Sequence, residues 1–125
     1  MYLIGEKHPN KEIALHMVER LLRERKKVVT SAEVFQEILH RYSAIDKKQF
    51  IEPAFVLLRE LAEEFLPITL QDVIEAKQIL FQRQKLSSRD CLHLAVMKRN
   101  GITEILSFDR AFEQCPGITR YPDLP

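Results

Sequence analysis

The sequence predicts an α/β domain, with a mostly parallel central sheet flanked by helices. Apolar residues recur at helical spacing in five separate stretches, and short β-branched or aliphatic runs stand between them. That alternation is what a parallel sheet with helical crossovers requires. Size agrees with it. At 125 residues, 46% apolar and 30% charged, the chain suits one domain over 1–125 with its own core.

The elements follow in order. Between Asn10 and Lys27, the residues Ile13, Ala14, Met17, Val18, Leu21 and Leu22 share one helical face. Asn10 is placed to cap that helix, and Arg23, Arg25, Lys26 and Lys27 suit the negative end of its dipole. Val28-Val29-Thr30 reads as a short buried strand. Thr30-Ser31-Ala32-Glu33 has the spacing of a capping box and opens a helix to about Tyr42. A long helical stretch from Lys47 to Phe65 is broken or restarted at Pro53. Leu66-Pro67-Ile68-Thr69 is the next strand candidate, and Thr69 with Asp72 marks another helix start. That helix, Gln71 to Lys85, is expected to bury Val73, Ala76, Ile79 and Leu80. Ser87 and Asp90 repeat the cap spacing ahead of a helix carrying Leu92, Ala95 and Val96, which Asn100-Gly101 stops. Ile105-Leu106-Ser107-Phe108 and Ile118-Thr119-Arg120-Tyr121 complete the strands.

Composition excludes several classes. With 19 basic and 18 acidic residues the net charge is +1, so nucleic acid could be held only by local patches. The longest apolar run, Pro53 to Leu58, cannot span a bilayer, and Glu6 and Lys7 interrupt any leader core. Cys91 and Cys115 make neither a disulfide framework nor a zinc pattern, and redox chemistry lacks Cys-x-x-Cys spacing. The expectation is a cytoplasmic domain with no membrane contact.

Parallel sheets bind ligands beyond the carboxyl ends of their strands, which draws attention to three acids. Glu37 lies on the helix after Val28-Val29, and Asp109 directly follows Ile105–Phe108. Asp90 stands in the first turn of the helix that feeds that strand. Converging carboxylates need a cation, and hard oxygen donors suit Mg²⁺ or Mn²⁺. Such an ion activates water and steadies a phosphate under attack. Each acid also has an ordinary explanation. Asp90 can be the cap partner of Ser87, Glu37 can pair with Arg41 one helical turn on, and Asp109 can be a turn residue.

Three strings bear on that choice. Thr30-Ser31-Ala32-Glu33-Val34-Phe35-Gln36-Glu37-Ile38, Leu86-Ser87-Ser88-Arg89-Asp90-Cys91-Leu92-His93-Leu94-Ala95 and Ile105-Leu106-Ser107-Phe108-Asp109-Arg110-Ala111-Phe112-Glu113 resemble, in order and separation, the signature segments of PIN domains, in particular VapC-type toxins. The tail Pro116-Gly117-Ile118-Thr119-Arg120 is similar to the usual ending. The resemblance implies a three-layer fold and a Mg²⁺- or Mn²⁺-dependent endoribonuclease, the toxin of a type II toxin–antitoxin system. It further implies a small antitoxin partner and a homodimer. Carried over residue by residue, Glu37, Asp90 and Asp109 become catalytic metal-binding acids, with Glu113 a lower-ranked fourth ligand. Ser107 corresponds to a hydroxyl residue beside the site. His93, one turn after Asp90, reads either as a ligand or as a hydrogen-bonded packing histidine.

One departure stands out. The family opens with an apolar strand ending in Asp, whereas Met1 to Pro9 resembles the stretch that follows that Asp. The chain therefore reads as N-terminally incomplete, lacking the first strand and its acid. An upstream natural start is the leading explanation. A decayed relative, or Tyr2-Leu3-Ile4 serving as a makeshift strand, are the alternatives. A catalytically inactive PIN-like module that still binds an antitoxin is accordingly the second functional reading.

Among basic clusters, Arg20, Arg23, Arg25, Lys26 and Lys27 read as a solvated helix end or an RNA patch, and Lys47-Lys48 form a smaller pair. Arg83, Lys85 and Arg89, beside Asp90, are the better candidates for RNA phosphate contact. Phe50, Phe55, Val56, Leu57 and Leu58 exceed what one buried helix face needs. In the resembled family such helices form antitoxin and dimer surfaces, and a well-filled core explains them equally.

Overall fold

The computed structural model describes residues 2–3, 19–20, 23–83, 85–107 and 110–121. Five short strands form one sheet: β1 (Tyr2–Leu3), β2 (Val29–Ser31), β3 (Glu64–Leu66), β4 (Glu104–Leu106) and β5 (Thr119–Tyr121). Their order is β3-β2-β1-β4-β5, and every neighbouring pair is parallel. Four α-helices that lie wholly within the described residues accompany them: α1 (Ala32–Ala44), α2 (Ile51–Leu61), α3 (Leu70–Gln82) and α4 (Ser88–Arg99). One 3-10 turn, Lys48–Phe50, precedes α2, and another, Arg110–Gln114, lies between β4 and β5. The expected α/β class and parallel sheet are present.

The central strand corrects the reading of a missing first strand and matches the alternative in which Tyr2-Leu3-Ile4 serves as a makeshift one: Tyr2–Leu3 lies between β2 and β4, with Tyr2 opposite both Val29 and Ile105. Pairing on both sides gives backbone groups of the neighbouring strands their partners. Tyr2, Val29, Val34, Ala95, Val96, Met97, Ile105 and Phe112 form the buried centre around it.

Local chemistry accounts for most boundaries. Thr69 and Asp72 form the expected capping box, with each side chain accepting the other's backbone N–H. Ser87 Oγ accepts the Asp90 N–H at 3.1 Å and starts α4. Gly101, at φ +68°, takes the left-handed conformation that ends it. Pro53 falls in the first turn of α2, where its missing N–H costs nothing.

Other expectations shift. No side-chain cap bond forms at Ser31, because Thr30 and Ser31 are buried in β2 and the Ser31 hydroxyl turns to Tyr2. The third strand lies at Glu64–Leu66 and not at 66–69. Ala62 turns extended, the Glu63 N–H bonds the Val28 carbonyl, and Pro67 has no N–H to continue the ladder. Helix α3 buries Ala76 and half-buries Ile79 and Leu80 as expected, but Val73 is 48% exposed. The inward position is taken by Asp72, which Arg99 pairs across the α3–α4 contact. Leu70, Val73, Ile74 and Phe81 are left as an exposed stripe along α3. Of the apolar residues flagged around α2, Leu58 is buried and Phe55 half-buried, while Phe50, Val56 and Leu57 face solvent.

The expected Asn10–Lys27 helix lies largely outside the described residues. Its described part is helical at residues 19–20 and 23 and ends where Arg25 adopts φ +55°. Beyond it, Lys26 pairs with Glu104 at 2.9 Å and Lys27 with Glu64 at 2.7 Å. Two of the basic cluster's charges are thus engaged with acids opening β4 and β3. No helix of the described residues is long and apolar enough to cross a membrane.

Candidate functional site

The site is built where parallel strands end. β2 runs directly into α1, which carries Glu33 and Glu37 one turn apart on one face. The first two turns of α4 carry Arg89, Asp90 and His93. These helices meet in a hydrogen bond between His93 Nε2 and Glu37 Oε1, at 2.8 Å. The His93 side chain is 1% exposed and that of Glu37 is 18% exposed. On the other side of the imidazole, Nδ1 lies 2.7 Å from the Tyr2 hydroxyl, which lies 2.5 Å from Ser31 Oγ. The Tyr2 and His93 rings meet edge to face, 5.3 Å between centroids.

Charge crowding is visible in the titration of neighbours. Glu33 is pushed above the usual carboxylate range, first by burial and then by the negative charge of Glu37, with His93 and Arg89 opposing the shift. Burial also raises the Tyr2 hydroxyl, with the carboxylates of Glu37 and Glu33 adding to it and the Ser31 hydrogen bond opposing. The Cys91 thiol is raised by burial and then by the charge of Asp90, so neither it nor the similarly raised Cys115 is a ready thiolate.

Other candidate residues have distinct surroundings. Asp90 is half-buried in the first turn of α4, where its charge favours the helix dipole. Asp109 lies outside the described residues. Glu113 makes an ion pair with Arg120 at 2.5 Å, so a cation there would have to share it. The Arg120 side chain is buried, and its Nη1 donates to the Ser107 carbonyl at 3.0 Å. Ser107 is buried at the end of β4, and its N–H donates to the Tyr121 carbonyl. Arg83 donates to the Gln114 carbonyl at 3.2 Å, while Lys85 and Arg89 are exposed.

Among the described residues, no three His, Cys, Asp or Glu side chains converge into a metal-binding group. What is assembled fits a hard divalent cation in kind. Glu37 offers oxygen donors, and it sits in a negative neighbourhood that a cation would relieve. His93 is the hydrogen-bonded, buried histidine of the second sequence reading, but its partners Tyr2 and Glu37 and the crowding of Glu37 by Glu33 were not foreseen. The one available signal was the spacing of Glu33 and Glu37 on a common helix face; nothing local marked Tyr2 as a partner of His93.

Comparisons with known proteins bear on this geometry. The family model described as PIN domain matches residues 1–118. The chain is 47% identical over 120 residues to VapC ribonuclease Mb1869c of Mycobacterium bovis, covering 96% of this chain and 92% of the relative. Its fold is similar to the crystal structure of the Mycobacterium tuberculosis Sarcin-Ricin loop cleaving toxin VapC20, with TM-score 0.71 and 18% identity over 92% of this chain and 94% of the other. The crystal structure of VapBC2 from Rickettsia felis, bound to a DNA fragment from their promoter, also gives a TM-score of 0.71. Identity there is 15%, and 96% of each chain is covered.

Proposed function

The chain belongs to the PIN-domain family, and from that membership we propose that it is a divalent-metal-dependent endoribonuclease, the toxin of a toxin–antitoxin pair. The observation that carries this reading is 47% identity, over 96% of the chain, to a protein named VapC ribonuclease. The geometry supports it by placing Glu37 and Asp90 on the two helices that meet beyond the parallel strands.

Glu37, Asp90 and Asp109 would hold Mg²⁺ or Mn²⁺, with Glu113 reaching it only by sharing its carboxylate with Arg120. The bound ion would supply an activated water and offset negative charge at the scissile phosphate. Arg89 and Lys85, exposed beside Asp90, would bind backbone phosphates without reading bases. Arg83, although engaged with Gln114, adds positive charge to that side. Ser107 would orient water or phosphate at the end of β4. A cytoplasmic location belongs to the same proposal, since RNA would be met there.

An antitoxin is the proposed protein partner. A chain of the solved VapBC2 structure has a similar fold, and the exposed stripe Leu70, Val73, Ile74 and Phe81 is the kind of surface a partner helix covers. A second copy of the chain is the other proposed occupant of the exposed apolar surface, through Phe50, Val56 and Leu57.

The inactive-module reading is favoured by one observation: the described residues of β1, Tyr2 and Leu3, carry no carboxylate. Incubating the folded chain with single-stranded RNA separates the two. Cleavage with Mn²⁺ that stops with excess EDTA is the expected result. Intact RNA in both, from a chain shown folded by circular dichroism, would leave the binding module as the function.

A further inference from the structure

We propose that His93 is a positioning residue for Glu37, its tautomer set by Tyr2 and Ser31, so that one carboxylate oxygen is fixed and the other is left for a cation. This rests on the proposed reading of Glu37 as a metal-binding acid and adds the element that holds it in place.

Three consecutive contacts fix where each proton lies. An ionised Glu37 can only accept, so the proton in the 2.8 Å contact belongs to His93 Nε2. A neutral imidazole protonated there has a lone pair on Nδ1, which must accept from the Tyr2 hydroxyl at 2.7 Å. Tyr2 has one proton and spends it there, so its oxygen accepts the Ser31 hydroxyl proton at 2.5 Å. With the imidazole neutral, every proton in Ser31–Tyr2–His93–Glu37 is thereby assigned in one direction. Burial, which holds the Tyr2 phenol protonated, keeps that donor in place.

The placement gives the network its rigidity. Ser31 and Tyr2 are fully buried on adjacent strands of the sheet, and His93 is buried on α4. Glu37 alone reaches partial exposure, at the carboxyl side of the sheet. Oε1 is committed to His93, which leaves Oε2 as the oxygen able to turn toward a cation. Histidines and carboxylates arranged in this way orient metal ligands, and their loss commonly weakens metal affinity about 10- to 100-fold.

The test uses the whole chain and two readouts. In the metal-free protein at neutral pH, long-range ¹H–¹⁵N correlation should show the His93 proton on Nε2 with Nδ1 bare. A proton on Nδ1 overturns the assignment. Mn²⁺ affinity is then measured by calorimetry, below each variant's melting temperature, for the wild type, His93→Leu, His93→Gln and Glu37→Gln. His93→Leu is expected to weaken binding about 10-fold, and His93→Gln, which returns an N–H near the Nε2 position, to recover most of it. Should His93→Leu fail to fold, His93→Gln and Tyr2→Phe carry the test: near-native affinity in the first with about threefold weakening in the second supports positioning. Unchanged affinity in a folded His93→Leu, or in Tyr2→Phe where it must stand in, beside a weakened Glu37→Gln, overturns the positioning role alone. Unchanged affinity in Glu37→Gln as well overturns the reading of Glu37 as a ligand, and with it this proposal.

Discussion

Asp90→Asn and Glu37→Gln are each expected to lower Mn²⁺-dependent cleavage of single-stranded RNA on the order of 100-fold or more while leaving the fold in place. The fold should survive for specific reasons. The cap at Ser87 uses the backbone N–H of Asp90 and not its carboxylate, so Asn keeps the cap and loses about 0.5 kcal/mol of dipole interaction. Gln at position 37 keeps an oxygen to accept from His93 Nε2. It also removes the negative charge that, together with burial, raises the pKa of Glu33. A carboxyl group whose pKa is raised by folding costs stability once pH climbs through its unfolded value, 4.5, toward its folded one. Glu37→Gln should therefore melt at or above the wild-type temperature at pH 7, and any gain should fade below about pH 4.5. Calorimetric melting at the two pH values checks the stability half, and RNA cleavage rates check the other. Wild-type rates in both variants would remove these acids from the mechanism.

The second large effect is on stability and lies away from the site. Asp72→Ala is expected to cost about 3 kcal/mol, read as a shift in the urea unfolding midpoint. The Asp72 side chain is 1% exposed and receives Arg99 Nε at 2.7 Å, Arg99 Nη2 at 3.0 Å and the Thr69 N–H at 2.9 Å. Removing it opens the cap of α3 and strips the clamp between α3 and α4. Thr69→Ala, which loses only one cap bond, should cost about 1 kcal/mol. The pH dependence has a definite sign. The Arg99 guanidinium, aided by Thr69, holds Asp72 below the usual carboxylate range despite burial. Its contribution is therefore present above the unfolded value of 3.8 and lost as pH falls through the lower folded value. The gap between wild type and Asp72→Asn should be full at pH 7 and narrow below about pH 3.8. A gap that is constant with pH would contradict the pairing.

These two sites differ in how far the sequence reveals them. Thr69-x-x-Asp72, Ser87-x-x-Asp90 and Asn100-Gly101 are legible because each cap is made within four residues, where composition decides geometry. Arg99 is 27 positions from Asp72, and no local pattern joins them. Without Arg99, Val73 looks like the inward residue; with it, a carboxylate can face inward and turn the helix. The same limit applies to β1. So short a segment has no periodicity to read, and Tyr2-Leu3-Ile4 could be offered only as one alternative; its place follows from its register with Val29 and Ile105. At the site, Glu37 and Asp90 stood out by motif. Their environment, with Glu33 crowding one and a buried histidine holding it, depends on how α1 and α4 pack.

A divalent cation held by Glu37, Asp90 and Asp109 is the centre of the proposed function. The direct measurement is Mn²⁺ binding to the intact chain by calorimetry, in the wild type and in Asp90→Asn and Asp109→Asn. The prediction is about one strong site per chain in the wild type, weakened at least about 10-fold in each variant. Equal Mn²⁺ binding by all three proteins, each shown folded, would contradict it.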